Sequence, residues 1–463
     1  MTLSPQLYSQ DFDDLNDQLS AIQHKYNIAG VSLIIVDEKE TLNEAFLGVA
    51  NRETKQEVNA DTVFRVGSIT KTFTSLAALK LQELGKLNID DKVSDYVTPP
   101  YDNTYPESPI RIAHLLEHTA GFQDMDATEW NFKQPDWTLE QSFNYSPSSR
   151  TTRWEPGIYS SYTNSGAGIA AYVMEKASGQ IFEEFVQTEV LNPLELRDAT
   201  FYLDESIKDR LAVGYNKDGE SVIPYWNMLY RPFGAMNMRA SEMGIFIRML
   251  INQGLTDSGK RIFNKESIQR LETPNTTLAA QEGLNYGYGL GNYHWIRDGV
   301  VFHGHGGDAD GYLAHYGYSR ENNLGYFLVI NAFNEHALRN MRRAVEQSLI
   351  QSVNKTQPPV EYKLNQSELN QIIGNYYAAT ERFVWNPDAL PNSNGTSITN
   401  IVHVFYEEGK LYTQFNEKNP KRLIAVSGKQ FRRDNDPIAT TSITVNDQGE
   451  IILQGDIGNY KKY

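Results

Sequence analysis

The chain has 463 residues, 40% of them hydrophobic, with 27 Tyr and 20 Phe, and a formal charge of -16. That is apolar material for a large core and too much chain for one small domain, so two or three globular units are expected and disorder is excluded. The acidic balance argues against nucleic acid and anionic membranes as partners, and the absence of cysteine excludes disulfides, thiolate catalysis and Cys-ligated zinc.

The N-terminus, Met1-Thr2-Leu3-Ser4-Pro5, has neither a basic region nor an apolar core, so it does not read as a signal peptide. No apolar run approaches a membrane span. The expectation is cytoplasmic as written, or periplasmic or secreted if a leader was trimmed. From Asp11 to Asn27, Phe12, Leu15, Leu19, Ile22 and Tyr26 fall at helical spacing, which predicts an amphipathic helix. Val31 to Val36 predicts a strand, with Thr41 to Val49 as its hairpin partner. A helix packed on an antiparallel sheet follows.

The stretch Phe64-Arg65-Val66-Gly67-Ser68-Ile69-Thr70-Lys71-Thr72-Phe73 places a serine and a lysine three residues apart. If a helix starts at Ser68, the two side chains share a face and the hydroxyl sits at the positive end of the helix dipole. A serine needs a base beside it, and a lysine serves as one only when neutral, as burial favours. Read alone, the tetrad is also satisfied by a helix cap and a solvated lysine. The helix continues to about Gly85, and Ile110 to His118 reads as a short helix. Residues Gly121 to Pro156 have weak periodicity and read as an irregular surface region forming one wall of a cleft. Further helices are predicted from Ala167 to Ser178, Phe182 to Val190 and Arg239 to Asn252. Strands follow at Tyr286 to Ile296, Val300 to Gly307, Tyr312 to Tyr318 and Leu324 to Ala332, with a closing helix from Glu335 to Val353.

Lys355-Thr356-Gln357-Pro358-Pro359 is the clearest linker. Beyond it short Val-, Ile- and Tyr-bearing runs alternate with turn residues, which predicts a separate small all-β domain, a barrel or sandwich. The limits expected are residues 1–354, a linker at 355–360, and residues 361–463.

Three signatures occur in order: Ser68-Ile69-Thr70-Lys71, Tyr162-Thr163-Asn164, and His305-Gly306-Gly307. With Leu115-Leu116-Glu117-His118-Thr119-Ala120-Gly121-Phe122, Glu155-Pro156-Gly157 and Arg231-Pro232-Phe233-Gly234-Ala235, the chain from Asp11 to Val353 resembles the serine β-lactamase and penicillin-binding-protein superfamily, in the branch of class C β-lactamases, D-aminopeptidases and esterases. The resemblance implies an α+β fold, an antiparallel sheet flanked by helices plus an all-helical subdomain. The trailing domain resembles a lipocalin-like barrel. Such a domain would restrict substrates at the cleft or mediate homo-oligomers, or serve only as a packing module.

Residue by residue, the resemblance implies that Ser68 attacks a carbonyl to form an acyl-enzyme. Lys71 and Tyr162 would share the proton work, with Lys71 polarising the phenol. Asn164 would bond the substrate amide or Lys71. His305 would stand where β-lactamases usually carry a lysine. The backbone N–H groups of Ser68 and Asp308 would form the oxyanion hole, with Gly306 and Gly307 beside it. His305 is preferred to His303 because a glycine follows two residues after it. His114, His118, Asp124 and Asp126 match no metal-binding spacing, and neither metal nor cofactor is expected. Histidine in place of lysine supplies less charge for a penicillin carboxylate, which favours small peptides, D-residue peptides among them, or esters as substrates. The alternatives are a β-lactamase and a non-hydrolytic penicillin-binding sensor.

Overall fold

The computed structural model describes residues 5–133, 137–351, 353, 355–382, 397–416 and 418–463. Met1 to Ser4, on which most of the leader reading rests, lie outside them.

The first unit is built on a seven-stranded antiparallel sheet. The run from Val31 to Val36 is apolar at nearly every position because its strand, Gly30–Asp37, is buried on both faces. Val31, Leu33 and Ile35 point to one core, and Ile34 and Val36 to the other. On its edges this strand pairs with Thr41–Asn51 and with Leu324–Ile330, in the register Val31↔Ile330. Tyr312–Ser319, Val300–Ala309 and Tyr293–Arg297 follow outward. The first helix, Pro5–Lys25, and the last of the unit, Glu335–Ile350, cover one face, joined by Phe12, Leu15, Leu19, Met341 and Val345. The other face receives Thr70–Glu83, Ser165–Ser178 and Ala240–Ile251.

Two expectations are corrected. Residues 286–292 are not a strand; they make one isolated bridge, Tyr288 to Tyr293, and the strand is Tyr293–Arg297. A side chain at Gly289 would meet the Leu271 carbonyl oxygen at 2.5 Å, so this glycine-rich run is pressed against another backbone and cannot join the sheet. The Gly121 to Pro156 region is not merely surface. Phe122, Met125, Phe132, Leu139 and Phe143 are buried in the main core, around the short helices Ala127–Trp130 and Leu139–Ser142.

After residue 365 the chain forms the helix Gln366–Ile372 and then a closed barrel of eight antiparallel strands, from Gly374–Ala378 to Gly458–Lys462. Closure leaves no free sheet edge. The barrel is docked on the first unit by side chains that satisfy its backbone. Gln454 Nε2 donates to the Ile158 carbonyl at 2.9 Å, and Asn459 Nδ2 to that of Ser160 at 2.7 Å. The Gln454 Oε1 accepts from the Ala279 N–H at 2.8 Å. The Ile158 and Ser160 contacts lie four and two residues before Tyr162.

Among the described residues no helix is long and apolar enough to cross a membrane.

Candidate functional site

The strand Val63–Arg65 pairs with Asn237–Arg239 and delivers the chain to Gly67. Gly67 has a φ of 54°, and a side chain there would come within 2.6 Å of the Asp308 backbone. A side chain at Gly307 would meet the Val66 carbonyl oxygen at 1.8 Å. Both positions need glycine so that the His305 strand can lie against the Ser68 turn.

Gly67–Ile69 is a turn of 3₁₀ helix, and the α-helix proper begins at Thr70. Side chains three apart nearly eclipse in a 3₁₀ turn, so Ser68 and Lys71 are still aligned. Lys71 Nζ lies 3.0 Å from Ser68 Oγ, 2.6 Å from Asn164 Oδ1 and 2.9 Å from the Phe233 carbonyl oxygen. Lys71 is 3% exposed. Burial pushes its pKa well below the usual lysine value; Asp124 and Asp308 pull it back, and Arg382 pushes it further down. The neutral amine is thereby favoured next to the serine hydroxyl.

Tyr162 completes the group, lining the same cleft as Ser68. Burial raises its pKa; Ser68 and Arg382 oppose that, while Asp124 and Asp308 add to it. The phenol therefore stays protonated. The Lys71 amine and the Arg382 guanidinium flank its ring, at 4.8 Å and 4.5 Å. The Arg382 guanidinium thus adds a fixed positive charge beside the phenol that the sequence did not announce, next to the Lys71 amine expected to polarise it.

His305 lies on the same side of the sheet. Its Nδ1–H donates to the Gly306 carbonyl, which leaves Nε2 to accept from the Tyr288 hydroxyl at 2.7 Å. Burial lowers its pKa to about 3, helped by Lys71, so the ring is neutral. Gly306 opens the floor beside it, where a side chain would meet the Tyr293 hydroxyl at 3.4 Å and His315 at 3.5 Å. Asp308 lines the same cleft of about 380 Å³, with Ser68, Tyr162, His305 and Gly306. His303 faces elsewhere, its ring 4.5 Å from that of His294.

Four groups in or around the site escaped the sequence reading. Asp124, taken with the non-metal cluster, accepts from the Asn164 N–H at 2.8 Å and from its Nδ2 at 3.1 Å, and so sets the amide that faces Lys71. His118 accepts from the Thr163 N–H and packs its ring 4.2 Å from Tyr162. The Phe233 carbonyl belongs to a landmark already noted, so its motif was the available signal. Arg382 comes from the C-terminal domain, and nothing in a loop residue's identity announces which way that loop faces. The other members of the rejected metal cluster have structural work: Asp126 caps Ala127–Trp130, and His114 Nδ1 accepts from the Arg111 N–H.

Buried neutral histidines recur, and they give a stability prediction. His118, His294, His305 and His315 are all at most 7% exposed. Burial is the leading cause that lowers each pKa, to about 3 for His294 and His305. The unfolded chain protonates near pH 6.5 while the folded chain does not, so this stability is fully present above about pH 6.5 and is lost as the pH falls toward the folded values. Thermal melts should show the midpoint dropping between pH 7 and 5. His294→Gln should flatten that slope by one histidine's share, about 1.4 kcal/mol per pH unit. An unchanged slope would contradict it.

The family model described as "Beta-lactamase" matches residues 12–349. Among curated relatives, penicillin-binding protein 4 of Amycolatopsis lactamdurans is 25% identical over 321 residues, 65% of this chain and 80% of that protein. Among solved structures, the octameric penicillin-binding protein homologue from Pyrococcus abyssi superposes with a TM-score of 0.64 at 21% identity, over 98% of this chain and 100% of that one. A crystal structure of SurE with D-Leu gives 0.60 at 18% identity, over 98% of this chain and 100% of that one.

Proposed function

The chain belongs to the β-lactamase family, and on that premise we propose that it is a serine hydrolase working through an acyl-enzyme on Ser68, acting on small peptides, D-residue peptides among them, or on esters. The observation that carries this reading is the 3.0 Å contact between a buried lysine amine and the Ser68 hydroxyl.

In this reading Lys71 takes the Ser68 proton as the oxygen adds to the substrate carbonyl. The Ser68 and Asp308 N–H groups, held together by the Gly67 and Gly307 approach, stabilise the oxyanion. Tyr162, as a phenol, passes a proton to the leaving group and regains it from Lys71. Water then cleaves the ester on Ser68, with the same pair as base. Of the two roles expected for Asn164, its contacts support the one toward Lys71, which its Oδ1 holds in place.

The same reading keeps the unit limits at 1–354 and 361–463 and the lipocalin-like character of the barrel. The absence of helix or strand over 355–365 supports that boundary. The octameric state of the Pyrococcus abyssi homologue supports homo-oligomerisation as a role for the second unit.

One observation favours the β-lactamase alternative. His305 brings no charge, yet Arg339, Arg342 and Arg382 line the same cleft. Asp308 and Glu335 line it as well, and Arg342 and Arg382 pair with Glu346 and Asp124, so the missing charge at the histidine does not by itself separate penicillins from peptides. The test is a panel of D-aminoacyl amides, short esters and nitrocefin, with adducts read by intact mass and peptide mapping. The expected result is a covalent adduct on the Ser68 peptide, with amides or esters turned over faster than nitrocefin. Faster nitrocefin turnover would make the protein a β-lactamase, and labelling without any turnover would make it a sensor.

A further inference from the structure

The catalytic group is tied to the C-terminal domain through one side chain. Arg382, four residues beyond the barrel strand Gly374–Ala378, reaches Asp124 Oδ2 with Nε at 3.0 Å and Nη2 at 2.8 Å. Its carbonyl also accepts the Asp124 N–H at 2.8 Å, so the two chains are joined by backbone as well. The Asp124 side chain is fully buried, while that of Arg382 is 44% exposed. From Asp124 the contacts run without a gap to Asn164, to Lys71 and to Ser68.

We propose that Arg382 is a positioning residue of the catalytic centre, supplied by the barrel, whose guanidinium balances the buried Asp124 carboxylate so that Asp124 orients Asn164 without holding a proton on Lys71. The role rests on the acyl-enzyme reading above. The physical case is one of compensation. Asp124 is needed where it is because it accepts both Asn164 donors, and an amide held in that way presents its oxygen to the lysine. A lone buried carboxylate so close would stabilise the ammonium form and disarm the base. A cation on the far side of the carboxylate cancels that effect while leaving its lone pairs in place. Among the described residues, the charged and titratable groups facing Lys71 are Asp124 and His118 from the segment after Leu116, Tyr162 from the segment before Ser165, His305 and Asp308 from the sheet, and Arg382 from the barrel. Of these only Arg382 is a fixed positive charge.

The test follows the second-order rate of Ser68 labelling by a fluorophosphonate, in which the serine oxygen displaces fluoride from phosphorus, between pH 5 and 10 on the full chain. Wild type should show an acid limb as Lys71 loses its proton. Arg382→Ala should move that limb up by about one pH unit, so that labelling falls about tenfold on the limb and converges with wild type at high pH. Arg382→Lys should restore part of the shift. The double variant Arg382→Ala with Asp124→Asn should return the limb toward its wild-type position, because the uncompensated charge is gone. An unmoved limb in Arg382→Ala overturns the role, and so does a uniform loss at every pH that the double variant fails to rescue, since that is what a structural prop would give. If wild type is not labelled at Ser68 at all, the acyl-enzyme reading falls and takes this role with it. If wild type is labelled and only the pH behaviour is flat, the role alone fails.

Discussion

Ser68→Ala and Lys71→Met are each expected to lower kcat/KM by about four orders of magnitude or more, and the double variant to lose no more than Ser68→Ala alone. On the acyl-enzyme reading the two groups act in one step, so removing either removes the step, and their effects do not add. Methionine is the informative replacement for the lysine. It fills the same channel between Ser68, Asn164 and Phe233 with an uncharged chain of similar length, so the cleft keeps its shape. The Asn164 Oδ1 and the Phe233 carbonyl lose their donor, which costs about 1–3 kcal/mol of stability without unfolding the protein. Steady-state kinetics on any substrate the panel identifies will check this, beside melts that confirm folding. A Lys71→Met variant within tenfold of wild type would remove the lysine from the proton path and pass the role of base to another group in the cleft, Tyr162 first.

Arg150→Ala should be the most damaging change outside the catalytic group, lowering stability by about 3–5 kcal/mol. Arg150 and Glu129 form an ion pair at 3.2 Å with both side chains at 0% exposure. The guanidinium also donates to the Tyr230 hydroxyl at 2.5 Å, the Phe143 carbonyl at 2.7 Å and the Pro100 carbonyl at 2.9 Å. One side chain thus ties together four pieces of chain that share little regular structure. Its loss removes the cation that favours the charged form of Glu129, a carboxyl whose pKa burial already raises to about 7, and leaves the Phe143 and Pro100 carbonyls without this donor. Arg150→Met combined with Glu129→Gln should recover part of the loss, because the carboxyl left without its cation is gone. Thermal or urea midpoints will decide, and a shift smaller than that of an ordinary surface substitution would refute the assignment.

The same arginine explains where sequence reading was weak. The wall from Gly121 to Pro156 gave little periodicity because its order comes from a polar hub and scattered aromatics, not from a repeating apolar face. Ser68, Lys71, Tyr162, Asn164 and His305 were legible because each sits in a short stretch whose neighbours are constrained by chemistry. The doubly buried strand at Val31 was legible for a different reason: burial on both faces leaves a continuous apolar run. By contrast Tyr286 and Tyr288 look like strand residues, and only the backbone pressing on Gly289 shows why they are not. Asp124 was visible as an acid without its function, since that depends on two partners far away in sequence. Arg382 was out of reach, because its meaning lies in how one folded unit sits on another.

The pairing of Gly30–Asp37 with Leu324–Ile330 has a consequence for biosynthesis. One margin of the early strand is covered at once by its hairpin neighbour. The other waits for a segment about 300 residues downstream. At ribosomal rates of about 5–20 residues per second, that margin stays open for about 15–60 seconds. A nascent chain of this protein therefore carries an apolar ribbon with one unpaired margin for most of its translation, a template for wrong strand pairing until Leu324–Ile330 emerges.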